Sequence, residues 1–394
     1  MSFHVPGRAL CSAMDRPVVI TWCCALAFAL ASLPRIHGAG GSIEDLVTGG
    51  DDWNSYAAYA QDLLRNGLLL ERIEGNYVQP AGFLYSYFVA ACLAVSGNSL
   101  GFVYFVQAML LGLSVAMSWS VFRGMLTRRS RTVLLLCLLL FAVLDVYAHY
   151  TFRLLSENLA LFLVALFFVQ LKNWSARNSP SATRTALCGI TLALVVLTRP
   201  NLALFALLMV VLLGRPGPGR KVTTAEVVSF LVFLVGVTSL LALRNFLVSG
   251  TLHVLPVDSG YLRFVEGLYA HAASAGPHAV GFHILKNILF CSGFLNVLEP
   301  SYAIRPHWIL MTLGVLFFFR QAVRHRGRLS LLELSTGVFV ITFHAVLITF
   351  SQLSNYGFRM LVPGLFITLG LSIKGFELVF PAKGRWPWRK QQQP

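Results

Sequence analysis

Asp51 and Asp52 stand side by side in GGDDWNSYAAYAQDLL, residues 49–64, with Trp53 and Tyr56 close behind. The chain holds only 16 Asp and Glu among 394 residues, so two adjacent acids require a reason. A carboxylate within hydrogen-bond reach of a hydroxyl can take its proton as that hydroxyl attacks an electrophile. The competing reading is a helix cap, in which an Asp accepts the first free backbone N–H groups of the helix beginning at Trp53. Capping employs one Asp and leaves the second unexplained, and no Glu or Gln follows three positions later to complete a capping box.

Glu157, in RLLSEN, is the second acid placed to act. It opens an apolar segment, where it either orients an acceptor beside Asp52 or pairs with Arg153 one turn earlier. The cations that match these acids are scattered singly: Arg199, Arg244, Lys286, Arg305 and Arg359. Each one alone is explained by a side chain reaching a lipid headgroup. Together they suit a phosphate whose lipid tail lies in the bilayer, because guanidinium groups bind phosphate oxygens in a fixed fork geometry.

The elements that position these residues are apolar helices. The chain is 56% hydrophobic and 12% charged with a mean hydropathy of +0.70, and a soluble domain carries about 25% charged residues. Its net charge of +15 does not mark a nucleic-acid partner, because the basic residues cluster in loops between apolar runs. These clusters lie at 123–131, 172–184, 215–221, 320–328 and 374–390, and the positive-inside tendency puts them in the cytoplasm with the N-terminus. With every cluster inside, ten spans result: 17–33, 99–122, 131–149, 156–171, 185–198, 200–214, 227–243, 306–319, 331–350 and 360–377. The expected fold is therefore all-α, a single polytopic membrane bundle over residues 1–394 with a short basic cytoplasmic tail at 378–394.

Two outer segments remain, 34–98 and 244–305. Asn54–Leu70 is amphipathic, with Tyr56, Ala60, Leu63 and Leu64 on one face and Gln61, Asp62, Arg65 and Asn66 on the other. The aromatic run Pro80–Val95 is read as an interfacial or half-embedded helix, because a full span there would put the 123–131 cluster outside. Between 185 and 214 the basic loops on both sides require a hairpin of two short helices with Pro200 at its turn. A retained first helix is a simpler reading of 17–33 than a cleaved signal peptide, given the many spans that follow. The seven cysteines lie mostly in apolar runs and read as small hydrophobes. No phosphate-binding glycine loop, HExxH motif or CxxC pair is present.

In chain order, Asp52 with Tyr56 and Ala60, Gln79-Pro80-Ala81-Gly82, Ser156-Glu157, Thr198-Arg199-Pro200, Arg244-Asn245 and Arg359 form an ordered set. This set, over residues 17–375, resembles the GT-C glycosyltransferases, such as protein O-mannosyltransferases and lipid A aminoarabinose transferases. The resemblance implies transfer of a sugar from a polyprenyl-phosphate-linked donor to an acceptor hydroxyl on the non-cytoplasmic face, with inversion. It implies Asp52, with Asp51 and Glu157, as the catalytic acids. Arg244, Arg199, Arg359, Lys286 and Arg305 would serve the donor phosphate, and Tyr56 and Trp53 the substrate.

The sequence also departs from the family pattern. Trp53 stands where the family often has Glu, and Ser156-Glu157 supplies one acid instead of a pair, which leaves a divalent cation open. No C-terminal soluble domain is evident to hold a protein acceptor, so a lipid, glycan or small acceptor is favoured over a protein. Membrane lipids are the expected surroundings, in a bacterial cytoplasmic membrane with the site facing outward. A lipid-linked sugar transporter is the alternative from another class; the gathering of acids on one face and the lack of a visible repeat argue against it.

Overall fold

The computed structural model describes residues 17–38, 52–67, 83–143, 153–176, 181–214, 222–249, 276–292, 306–324, 329–350 and 357–381. Asp51, Arg305 and the Gln79–Gly82 motif lie outside these residues, as do the side chains of Asp52, Trp53, Asn245 and Arg359.

Every described element is helical. In chain order these are α1 (Pro17–Gly38), α2 (Asp52–Asn66), α3 (Phe83–Ser96), α4 (Leu100–Arg123), α5 (Arg128–Val143), α6 (Glu157–Ser175), α7 (Ala182–Thr198), α8 (Ala203–Leu213), α9 (Thr224–Ser249), α10 (Pro277–Cys291), α11 (Pro306–Arg324), α12 (Leu331–Phe350) and α13 (Leu365–Val379). Short 3-10 turns occupy Pro200–Leu202 and Gly357–Gly364. Among the described residues each of the ten expected spans falls on helical structure, the 131–149 span being described only to Val143, and residues 83–95 of the aromatic run lie on α3. With 14 residues, α3 is about 21 Å long, short of the roughly 30 Å hydrocarbon layer.

Among the described residues, five helices are long and apolar enough to cross a membrane: Leu100–Arg123, Glu157–Ser175, Thr224–Arg244, Leu331–Thr349 and Met360–Val379. Apolar side chains also face outward. Val228, Val232, Val235, Leu243 and Leu247 form an exposed stripe along α9, while Ser114, Ser118, Thr336 and Ser372 are buried between helices. A soluble core has the reverse arrangement; small polar groups inside and aliphatic groups outside suit a bundle solvated by lipid. The chain is an integral membrane protein.

Close helix approaches set the packing. A Cβ on Gly375 would sit 1.8 Å from the Gly314 carbonyl oxygen, and one on Gly189 would sit 2.5 Å from that of Phe230. Glycine at these positions lets α11 meet α13, and α7 meet α9, backbone to backbone.

Contacts also fix the relative direction of several helices. Gln107, near the start of α4, bonds Arg153 at the entry to α6, and the Lys172 ammonium near the end of α6 donates to Ser120 O near the end of α4. These two helices therefore run parallel. The Lys374 ammonium donates to Met125 O and the Thr127 amide to Glu377, so α13 runs with α4 as well. Glu226, at the start of α9, accepts from the Trp174 indole (3.0 Å) and the Ser181 amide (2.9 Å) and caps its own helix through Thr223. With Ser229 donating to Ala182 O, α7 and α9 start together and run side by side in one direction. The chain must therefore return between them through α8, which is the hairpin expected at Pro200.

The bundle accordingly has two chemically distinct ends. One gathers Arg123, Lys172, Glu226, Lys374 and Glu377. The other gathers Gln107, Arg153, Glu157, Arg199 and Arg244. On α6, Glu157 and Lys172 are fifteen residues, about 22 Å, apart along the axis.

Gly375→Ala is expected to lower thermal stability in detergent by about 1–3 kcal/mol through overpacking against Gly314, whereas Gly236→Ala, where a Cβ meets nothing within 4 Å, leaves it unchanged.

Candidate functional site

At the end opposite the basic clusters, several helix termini meet α2 and α3. Pro200 ends α7 by removing an amide donor, and Arg199 before it takes extended φ −141° and ψ 92°. That break turns the Arg199 side chain across to Glu157, the first residue of α6, and the two form an ion pair. Glu157 is 0% exposed, and the Arg199 side chain only 12%. The carboxylate also benefits from the helix N-terminus it occupies. A second Arg199 amine reaches the Met360 sulfur at 3.8 Å, on the turn that carries Arg359. The Glu157 carboxylate therefore meets a residue far along the chain, not Arg153 one turn away. Arg153 instead presents its carbonyl to Gln107 and faces Tyr104.

Unspent polar groups surround this pair. Ser156 Oγ, Arg199 Nε and Asn201 Oδ1 are enclosed with no hydrogen-bond partner among the described residues. A bilayer interior offers no bulk water to satisfy them, so each is poised for a ligand or a trapped water.

Beside the pair, α3 supplies two tyrosines with different tasks. Tyr85, 0% exposed, donates to Gln107 Oε1 at 2.9 Å and faces Glu157. Its ring meets Tyr56 of α2 edge-on, with centroids 4.8 Å apart. Tyr87 lies about 200° further round the helix and hydrogen-bonds Arg244 of α9. Tyr59, one turn after Tyr56 on α2, faces the same guanidinium. Burial pushes the Tyr59 phenol up to about 12, with Tyr56 adding to the rise and Arg244 opposing it. The phenol therefore stays protonated at neutral pH and able to donate.

The structure thus divides what the sequence had grouped. The Glu157–Arg199 pair lies on one flank of α3 and Arg244 on the other, both at the same end of the bundle. Arg199 is engaged by a carboxylate. Arg244 is buried to 6% exposure and lies beside the Tyr87 and Tyr59 phenols.

Asp52 forms the first residue of α2, four positions before Tyr56. On that helix Tyr56, Ala60 and Leu63 are buried as expected; Ala57 joins them and Leu64 is 40% exposed. Lys286 lies on α10 and faces His283; the Asn287 amide donates to Ile348 O (2.8 Å) and ties α10 to the far end of α12. Among the described residues no group of three or more His, Cys, Asp or Glu could hold a metal ion.

The sequence reading passed over Gln107, Tyr85, Tyr87 and Tyr59. Gln107 had a usable signal, since an amide within an apolar run of spanning length is costly unless it has a partner. The tyrosines had none, because aromatic residues are common at both membrane interfaces.

Removing both members of the buried pair should cost less than the two single removals added together. Glu157→Gln or Arg199→Gln is expected to destabilise by about 3–5 kcal/mol in denaturation in detergent, with Glu157→Gln/Arg199→Met losing less than the sum of the single changes.

No family model matches the chain, and no curated protein matches it. One solved structure is similar, the archaeal oligosaccharyltransferase AglB from Archaeoglobus fulgidus, in complex with an inhibitory peptide and a dolichol-phosphate. The identity is 12% and the TM-score 0.44, over 93% of this chain and 52% of that one. This chain spans about half the length of that enzyme, and a likeness at this score carries no argument about function.

Proposed function

We propose that this protein is a membrane glycosyltransferase that moves a sugar from a polyprenyl-phosphate donor to an acceptor hydroxyl at the end of the bundle opposite the basic clusters. The observation that carries the reading is Arg244, a buried guanidinium held by phenols on the helix that Asp52 opens and on its neighbour. A guanidinium at that place suits a phosphate, whose oxygens it binds in a fixed fork geometry. A departing lipid phosphate is such a group, and its isoprenoid tail has a place along the apolar outer stripe of α9.

In the proposed reaction the acceptor oxygen attacks the anomeric carbon from the side opposite the phosphate. The glycosyl–phosphate bond breaks with its electron pair going to the phosphate oxygen, which inverts the sugar carbon. The acceptor proton passes to Asp52 acting as base. Arg244 stabilises the charge that develops on the leaving phosphate, and the Tyr59 and Tyr87 hydroxyls hold the guanidinium in place. Arg359, one residue before Met360, is proposed as a second phosphate cation. The buried Glu157–Arg199 pair is proposed to hold its turn in place, a supporting task in place of the acid role the resemblance implied. The ordered motifs that resemble GT-C glycosyltransferases support the same reading. The acceptor class proposed is a lipid or glycan, and the location an outward-facing site in a bacterial cytoplasmic membrane.

Asp52→Asn is expected to lower transfer by at least 10²-fold in a purified assay that follows release of free polyprenyl phosphate, with membrane insertion unchanged. Arg244→Ala is expected to raise the donor KM by about tenfold or more. Normal turnover in the first variant, or unchanged donor affinity in the second, would overturn the assignment.

A further inference from the structure

We infer that Gln107 and Tyr85 form a polar clamp that positions the base-bearing helix α2 against the entry of α6, and that both are positioning residues for the reaction proposed above. The inference rests on that reading for its kinetic consequence, but not for the clamp itself.

Gln107 sits in the second turn of α4, 0% exposed, in a helix otherwise built for the bilayer. Its amide uses both ends on different segments. The carbonyl accepts the Tyr85 hydroxyl at 2.9 Å, and the nitrogen donates to Arg153 O at 3.1 Å. One side chain thereby joins α3 to the turn that leads into Ser156 and Glu157. The Arg153 carbonyl lies ahead of the first turn of α6, where the chain has not yet closed its helical hydrogen bonds. Tyr85 continues the linkage: its ring lies edge-on to Tyr56, and Tyr56 lies one helical turn after Asp52.

The linkage therefore runs from the α6 entry through an amide and two aromatic rings to the helix that begins at Asp52. Every member is buried: Gln107 and Tyr85 at 0% and Tyr56 at 4%. α2 itself is polar on its outer face and too short to span, so it gains little orientation from the bilayer. Its contact with α3 sets its angle, and the Tyr85 ring that meets Tyr56 is itself fixed by its hydroxyl bond to Gln107 of α4. Aliphatic packing alone would leave the Tyr85 ring free to shift; the two hydrogen bonds of Gln107 hold that ring against the α6 entry, and its edge-on contact with Tyr56 passes the position on to α2. A base displaced by about 1 Å costs on the order of 10²-fold in rate, so such a clamp is read in turnover before it is read in binding.

Tyr85→Phe removes only the hydroxyl and keeps the ring on Tyr56; Gln107→Met removes the amide at nearly constant volume. Both are expected to lower kcat about tenfold with the donor KM unchanged, and the double variant to be no slower than Gln107→Met. Amide hydrogen exchange on the same purified variants reports the clamp directly. Exchange should rise in residues 52–66 and 153–157 and stay at the wild-type level in α7 and α9. Unchanged exchange at 52–66 in both variants overturns the clamp. Raised exchange with full kcat overturns the positioning role. Raised exchange in a protein whose wild type transfers no sugar upholds the clamp and removes the proposed reaction instead. If Gln107→Met fails to fold, Tyr85→Phe alone decides.

Discussion

The constraint on which this molecule depends is the cost of holding charge away from water. A guanidinium or carboxylate within a bundle solvated by lipid is stable only when something nearby answers it. At one end of this bundle two buried arginines are answered in different ways. Arg199 is met by Glu157, a full opposite charge. Arg244 is met by Tyr59 and Tyr87, which can hydrogen-bond it but carry no charge. The functional reading draws on the second of these, since Arg244 lies beside the helix that Asp52 begins, where a phosphate is proposed to bind.

The other end shows the same constraint solved for topology. Carbonyls near the end of α4, at Ser120, Met125 and Leu126, receive Lys172, Lys374 and Arg131 from three other places in the chain. Cations at a helix C-terminus are favoured by its dipole. Basic residues of the clusters thus also close the end of α4. Glu226 performs the complementary task at the start of α9, where one carboxylate collects the ends of α6, α7 and its own helix.

Much of the fold was legible because apolar run length and basic loops are coarse signals that the bilayer enforces. The α7–α8 hairpin is a good example: no periodicity demands it, yet basic loops on both sides and Pro200 between them do. The site was legible only in part. Glu157, Arg199 and Arg244 stood out because charges in apolar surroundings are rare, and they do lie at one end. Their division by α3 was hidden, since it depends on Tyr85 and Tyr87 facing different ways from a helix whose rotation no sequence pattern fixes. Glu157 pairing with Arg199 was hidden for a related reason: the local partner, Arg153, satisfies the helical spacing rule, and only the extended backbone at Arg199 brings the distant one closer.

The account places a lipid-linked phosphate at the corner made by Arg244, Tyr59 and Tyr87, beside the helix that Asp52 begins. The most direct measurement is an experimental density map of the purified protein with a polyprenyl phosphate bound. The account requires the phosphate within about 3 Å of the Arg244 guanidinium, with the isoprenoid chain leaving along α9. A phosphate seated among Arg123, Lys172 and Lys374 at the opposite end would contradict it.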